Sequence, residues 1–440
     1  MKAALKRLYA LGSGRTHYSR EPLKRLLARI NDPHRRIPAV LVGGTNGKGR
    51  VVAALSAALS RDYRAGAFIK PHLKSIRERW RIDDKPISTD MFIRAANETC
   101  ELIDATNEPI SFFEANVILG ALVFCEAGCE IVVWEVGLGG KEDACNLTDP
   151  ILSVLTNVGL DHQAILGDTH EAIASDKAHI CRPQRPLLLG PPRPGWEKAF
   201  TRYQPVVVDV CRQQGALLKQ VSRPPAARWE DYLSAGAQGI PPDSQATAEL
   251  ALKVLRGSGF GLSVNDIAAV THVMYRGRME HAFLEGQPVL LDAAHNVDSL
   301  RWLAQVLRHT KPNARWPVIF GCQASRDPVL LLAELAPLVS ILIPIEVPVL
   351  NPCPAKRIAQ AAQQLGLAVA VPPQVKGVRR QARYRIGETT ELDPPDNRTR
   401  WIESVRYGLS YAKVSVPTVI CGSIYYLGEI LRAFETSDIG

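Results

Sequence analysis

A chain of 440 residues has room for two or three domains, and 46% hydrophobic with 22% charged residues is an ordinary globular composition. The net charge of +9 suits a binder of nucleotide and polyanionic substrates, while the lack of a basic patch interleaved with aromatics counts against nucleic acid. Nine cysteines, never paired as CxxC, favour reduced thiols in the cytoplasm over a disulfide framework or a zinc site. No apolar core follows Met1-Lys2-Ala3-Ala4-Leu5-Lys6-Arg7, and no run of about 18 apolar residues occurs, so neither secretion nor a membrane span is expected.

Residues 37–42 read as a short apolar strand, Gly44-Thr45-Asn46-Gly47-Lys48-Gly49-Arg50 as a glycine-rich turn, and residues 51–59 as a helix. Strand, turn and helix in that order form a phosphate cradle, because backbone N–H groups and the helix N-terminus point at the anion. The spacing departs from GxxxxGK[ST], and Arg50 stands where a metal-binding hydroxyl belongs. Taken alone, the loop reads either as a phosphate site or as an ordinary glycine turn before a helix. Cys125 and Cys129, four apart in an apolar stretch, are expected as buried small hydrophobes.

Further along, residues 131–134, 151–155, 289–291 and 318–320 read as strands alternating with helical segments, the pattern of an α/β fold with a mostly parallel sheet. Ligands in such sheets sit beyond the carboxyl ends of the strands. That places candidate sites at Glu135-Val136-Gly137-Leu138-Gly139-Gly140, Asn157-Val158-Gly159-Leu160-Asp161-His162, Asp292-Ala293-Ala294-His295-Asn296 and Gly321. A boundary is expected near residues 282–288, where Glu285-Gly286-Gln287-Pro288 precedes a fresh strand. Residues 374–400, polar and Pro-rich with Lys376, Arg379, Arg380, Arg383 and Arg385, read as a solvated surface insertion.

In fixed order these motifs are more specific than any one of them. The GTNGKG loop is followed by Pro71-His72-Leu73, Arg77-Glu78-Arg79-Trp80-Arg81-Ile82, Pro86-Ile87-Ser88, Ser111-Phe112-Phe113-Glu114, the segment from Glu135 to Gly140, and Asp143-Ala144-Cys145-Asn146. Then come Gly159-Leu160-Asp161-His162, Asp176-Lys177-Ala178, Gly277-Arg278-Met279-Glu280, Asp292-Ala293-Ala294-His295-Asn296 and Gly422-Ser423-Ile424-Tyr425. From about Pro22 to Glu429 the chain resembles the folylpolyglutamate synthase/dihydrofolate synthase family of Mur-type ATP-dependent amide ligases.

The resemblance implies a P-loop-type parallel-sheet ATPase domain over residues 1–284 and a smaller Rossmann-like α/β domain over 285–440. It implies a cytoplasmic, monomeric ligase with small-molecule partners only: a pteroate or folate acid, glutamate, ATP and Mg²⁺. ATP would phosphorylate the carboxylate, and the glutamate amine would displace phosphate. Phosphoryl transfer of this kind needs positioning and charge neutralisation. By resemblance Lys48, Glu135, His162 and Lys177 are the catalytic set, with Glu135, His162 and a carbamylated Lys177 as metal ligands. Gly44, Thr45, Asn46, Gly47, Lys48, Gly49, Arg50, Arg278, Asp292 and His295 would bind the nucleotide.

The departures cluster around ATP. Arg50 offers a metal no acceptor. Lys70 replaces the serine of a Ser-Pro-His-Leu loop, Lys141 an arginine after the double glycine, and Val297 the proline after His295-Asn296. The adenine motif, of HQxxN type, aligns with Asp243-Ser244-Gln245-Ala246-Thr247, so Thr247 stands for its asparagine and Gln245 is the candidate to compensate. Three readings follow: a folate-type ligase, a ligase of the same chemistry for another acid, or a catalytically impaired nucleotide- or folate-binding paralogue.

Overall fold

Ala39–Gly43 are all buried and form β1 in the interior of a sheet, as an unbroken apolar run covered on both faces requires. The structure, a computed structural model, describes residues 1–12, 19–347, 351–372, 395–411 and 416–434. The first sheet adds β2 (Ala65–Phe68), β3 (Trp80–Ile82), β4 (Lys85–Pro86), β5 (Ile131–Glu135), β6 (Pro150–Leu155), β7 (Pro186–Leu189) and β8 (Leu217–Gln220). Its order is β4-β3-β2-β5-β1-β6-β7-β8; β2–β3 and β3–β4 are antiparallel and the other pairs parallel.

The helix Lys48–Leu59 covers one face, packing Val51, Val52, Leu55 and Leu59 into the core of Val40, Val42 and Val133 with the helix Pro242–Gly257. Trp134 alternates with Val133 and so faces the other side, where its ring meets Phe68 at 5.5 Å and Phe124 at 5.4 Å. Each such fully buried ring contributes ~1.5–3 kcal/mol, enough to fix the register of β5 and with it the face on which Glu135 emerges. Phe124 lies on the helix Phe112–Glu126, which starts at a capping box between Ser111 and Glu114.

The second sheet contains β9 (Glu280–Leu284), β10 (Gln287–Leu291), β11 (Trp316–Phe320), β12 (Val339–Pro344) and β13 (Thr418–Cys421), in the order β12-β11-β13-β10-β9. β9 and β10 form an antiparallel hairpin and the remaining pairs are parallel. Its core joins Leu291, Ile319, Ile343 and Ile420 to Tyr426, Leu427 and Ile430 of the helix Ile424–Phe434.

Compact unit 1 contains Met1–Lys70, Arg77–Trp229 and Gly239–Tyr275; unit 2 contains Pro71–Ile76, Glu230–Gln238 and Arg276–Gly440. Residue 285, the expected start of the second domain, lies in the two-residue β9–β10 turn, where Glu285 and Gly286 have φ of 49° and 75°. Of the five strands expected from sequence, four lie within β5, β6, β10 and β11, and residues 37–42 overlap β1, which starts at Ala39. Residues 374–394 of the expected surface insertion lie outside the described residues, and a helix begins at Pro395. No described helix is long and apolar enough to cross a membrane.

Candidate active site

The glycine loop leaves β1 through Gly44, whose φ is +136° and whose Cβ, if present, would lie 1.9 Å from Thr156 Oγ1. Only glycine tolerates that backbone and that approach. The loop is then stitched to the segment after β6: Thr45 N donates to Asn157 O at 3.0 Å, Asn46 N to Asn157 Oδ1 at 2.9 Å, and Thr156 Oγ1 to Asn46 O at 2.8 Å. Gly47 opens the helix Lys48–Leu59 without a side-chain cap, so the first turn directs its N–H groups outward, as an anion cradle does.

Lys48 arches back over this loop, its Nζ donating to Gly44 O at 2.8 Å and Thr45 O at 3.1 Å. Lys177, on the helix His170–Ala178 and only 5% exposed, donates to the same Gly44 O at 3.2 Å. Two ammonium groups thus converge on one carbonyl. Glu135, at the end of β5 and buried, accepts from Lys70 N at 2.9 Å through Oε2. Lys70 Nζ donates to Gly137 O, so its side chain spans from the end of β2 to the turn after β5.

The charges in this group act on one another. Burial, then Lys70 and Lys177, push the Lys48 amine down to about 7. Burial is also the main cause that lowers Lys177, to about 8, with Asp176 opposing it. Burial pushes the Asp143 carboxyl up, although it accepts from Leu138 N at 2.8 Å and Cys145 N at 2.9 Å. Asp143 therefore secures the turn from Glu135 to Gly140. At Gly49 an added Cβ would stand 2.2 Å from the Tyr275 hydroxyl and 3.4 Å from Glu135 Oε2, so the glycine lets those two groups close over the loop.

Not every expected residue joins that cluster in the same way. Arg50 is buried, in the first turn of the loop helix. His162 adopts a left-handed φ of 54°, its backbone N donates to Asp161 Oδ1 at 2.8 Å, and its half-exposed imidazole lies 3.9 Å from the same carboxylate oxygen. Arg278, Asp292 and His295 belong to unit 2. There Asp292 accepts from Met279 N and Ala294 N at 2.9 and 2.8 Å, with the Arg278 guanidinium 3.9 Å away. His295 Nδ1 donates to Ala293 O at 2.8 Å, and Asn296 caps the helix Val297–Thr310, so Val297 begins a helix in place of a proline.

The segment aligned with the adenine motif is helical throughout. The whole segment 243–247 lies in the helix Pro242–Gly257, where Thr247 Oγ1 donates to Asp243 O at 2.7 Å, an i−4 backbone bond. Gln245 donates to Ile240 O at 2.7 Å and accepts from Arg228 at 2.8 Å. The residues that reach the loop instead are Ser244, whose Oγ is 3.4 Å from a Cβ built on Gly47, and Arg193, which pairs with Asp243 at 2.6 Å in a buried ion pair. Sequence reading missed Arg193 because β7 had not been recognised; the strand-end rule would have found it.

A divalent cation fits the unmodified donor set only in part. Glu135 offers an anionic oxygen, but Arg50 and Lys70 carry donors and no acceptors. Among the described residues no three His, Cys, Asp or Glu side chains are grouped to hold a metal ion. The nine cysteines are all free, and Cys145 and Cys421 are buried thiols whose burial raises their pKa.

No family model matches the chain. A probable bifunctional folylpolyglutamate synthase/dihydropteroate synthase of Haloferax volcanii is 37% identical over 174 residues, covering 39% of this chain and 21% of that protein. The dihydrofolate synthase/folylpolyglutamate synthase of Escherichia coli K12 is 30% identical over 298 residues, covering 65% of this chain and 67% of that protein. Among solved structures, E. coli FolC in complex with DHPP and ADP superposes with a TM-score of 0.78 at 23% identity, covering 99% of this chain and 98% of the other. A bifunctional folylpolyglutamate synthase/dihydrofolate synthase with Mn, AMPPNP and L-glutamate bound gives 0.74 at 22% identity, covering 95% of each chain.

Proposed function

This chain belongs to the folylpolyglutamate synthase/dihydrofolate synthase family, and on that premise we propose that it is an ATP-dependent ligase joining glutamate to a pteroate or folate carboxylate. The observation that carries the reading is the convergence of Lys48 and Lys177 on Gly44 O at the head of an uncapped helix, with Glu135 at the neighbouring strand end. Such a cradle neutralises the charge of a transferring phosphoryl group without rearranging.

The reaction proceeds in two steps. A carboxylate oxygen of the acid attacks the γ-phosphorus and ADP leaves; the glutamate amine then attacks the acyl carbon, and phosphate departs with that oxygen. Lys48 and the amides of residues 47–49, at the uncapped start of the helix, bind the phosphates. A divalent cation accompanying ATP would have Glu135 as its anionic protein ligand and would supply charge neutralisation at the phosphates. Lys177, lowered to about 8 chiefly by burial, has a neutral fraction that would add CO₂ with loss of one proton to solvent, and such a carbamate would join Glu135 and His162 as a metal ligand, whereas the unmodified ammonium adds to the positive charge of the cradle.

Arg50 and Lys70, cations where the family pattern has hydroxyls, favour a second reading, an impaired nucleotide-binding member. One assay separates the two. Purified protein with ATP, Mg²⁺, glutamate and dihydropteroate or tetrahydrofolate should release ADP and yield a product one glutamyl unit heavier by mass spectrometry. ADP binding without turnover of any folate would establish the second reading, and ADP release only with an unrelated carboxylic acid would redirect the substrate.

A further inference from the structure

We propose that Lys70 is a phosphate-binding residue of this chain, its ammonium doing at the glycine loop what a divalent cation would otherwise do for the nucleotide. The proposal rests on the reading of that loop as a nucleotide site and goes beyond it by naming what neutralises the phosphates.

Three features of the site support it. The backbone of Lys70 is fixed by its N–H to Glu135 Oε2 at 2.9 Å, and its ammonium is steered by Gly137 O, so the side chain has a set direction. An ammonium has three donors; one goes to Gly137 O, which leaves two for phosphate oxygens. Its charge acts on both Lys48 and Lys177, the groups that meet at Gly44 O, so all three ammonium groups share one neighbourhood. An anion placed among them is attracted by every member, and like-charge repulsion within the trio is relieved when it binds.

The same geometry works against a metal in that place. Glu135 Oε2 already accepts the Lys70 amide, which commits one of its two oxygens. A cation entering beside Lys70 would meet a fixed positive charge with no acceptor. A lysine acts on phosphate as a point charge, so it substitutes for the electrostatic part of the ion's role.

Calorimetric titration of the full chain with ADP, in excess EDTA and again in Mg²⁺, tests this without any folate acceptor. The wild-type affinity is expected to change by less than about threefold between the two conditions, whereas Lys70→Ser should weaken binding in EDTA by about 10- to 100-fold and recover part of it with Mg²⁺. Lys70→Met keeps the alkyl stem and serves if the serine variant does not fold, with melting temperature as the check. Wild-type binding that collapses in EDTA would overturn the proposal, as would a Lys70→Met protein that binds ADP in EDTA as tightly as wild type. Absence of ADP binding under both conditions overturns this proposal and the ligase reading together. Metal-dependent binding accompanied by normal glutamate ligation removes only the role of Lys70.

Discussion

The two sheets both end in polar turns, yet the turns treat their charged side chains in opposite ways. After β10, Asp292 accepts two backbone N–H groups, His295 donates to Ala293 O, and Asn296 and Ser299 cap each other's helix start. These side chains are occupied in holding the chain's own shape. In the first unit, Lys48 after β1, Lys70 after β2 and Lys177 on the helix His170–Ala178 bond backbone carbonyls, and burial, then the charges of Lys70 and Lys177, push the Lys48 amine down. The difference teaches where to look for chemistry: carboxylates and imidazoles saturated by backbone build a scaffold, whereas crowded like charges held on carbonyls are set to receive an anion.

The largest expected effect on that contrast comes from Lys48→Ala. Losing a charge-assisted contact to phosphate should weaken ADP binding by about 100-fold in calorimetry, while Asp292→Ala should cost stability, about 1–3 kcal/mol in denaturant unfolding, and weaken ADP binding far less. Equal losses of affinity in the two variants would erase the distinction. Next is Gly44→Ala, which forces a side chain into φ +136° and to within 1.9 Å of Thr156 Oγ1. It should destabilise the chain by about 3 kcal/mol, and a Thr156→Ala partner should return only the steric share, since the backbone strain remains.

A smaller effect concerns protons. At pH 8 a Lys48 amine lowered to about 7 is mostly neutral, and a bound phosphate favours its ammonium form. ADP binding should therefore take up a fraction of a proton, visible as a binding enthalpy that varies with the ionisation enthalpy of the buffer. The sign for stability is set by the same shift. The unfolded lysine binds a proton up to its ordinary pKa of 10.5 while the folded one releases it near 7, so the penalty is full below about 7 and fades as pH rises towards 10.5. Proton release on ADP binding at pH 8 would show that Lys48 is not a neutral amine in the free protein.

Much of this site was legible in the sequence because glycine spacing and strand ends carry physical information. Gly44 and Lys48 follow from the strand, turn and helix order, and Glu135 from the rule that ligands sit beyond strand ends. Lys177 is another matter. A lysine on a helix has no spacing signal, and its burial comes from tertiary packing against Gly44, so only the family resemblance singled it out. Arg193 escaped because β7 is four residues long, too short for a periodicity to show, and Ser244 carries no signal of its own within the helix Pro242–Gly257. Thr247 was singled out by alignment alone; its position in the helix Pro242–Gly257 turns the hydroxyl onto Asp243 O. Tyr275 lies over Gly49 by long-range folding that no local pattern encodes.

The central claim is ligation through an acyl phosphate, and isotope transfer tests it most directly. With the acceptor carboxylate labelled with ¹⁸O, and ATP, Mg²⁺ and glutamate supplied, mass spectrometry of the released phosphate should find one ¹⁸O atom for each amide formed. Amide formation with unlabelled phosphate would contradict the account.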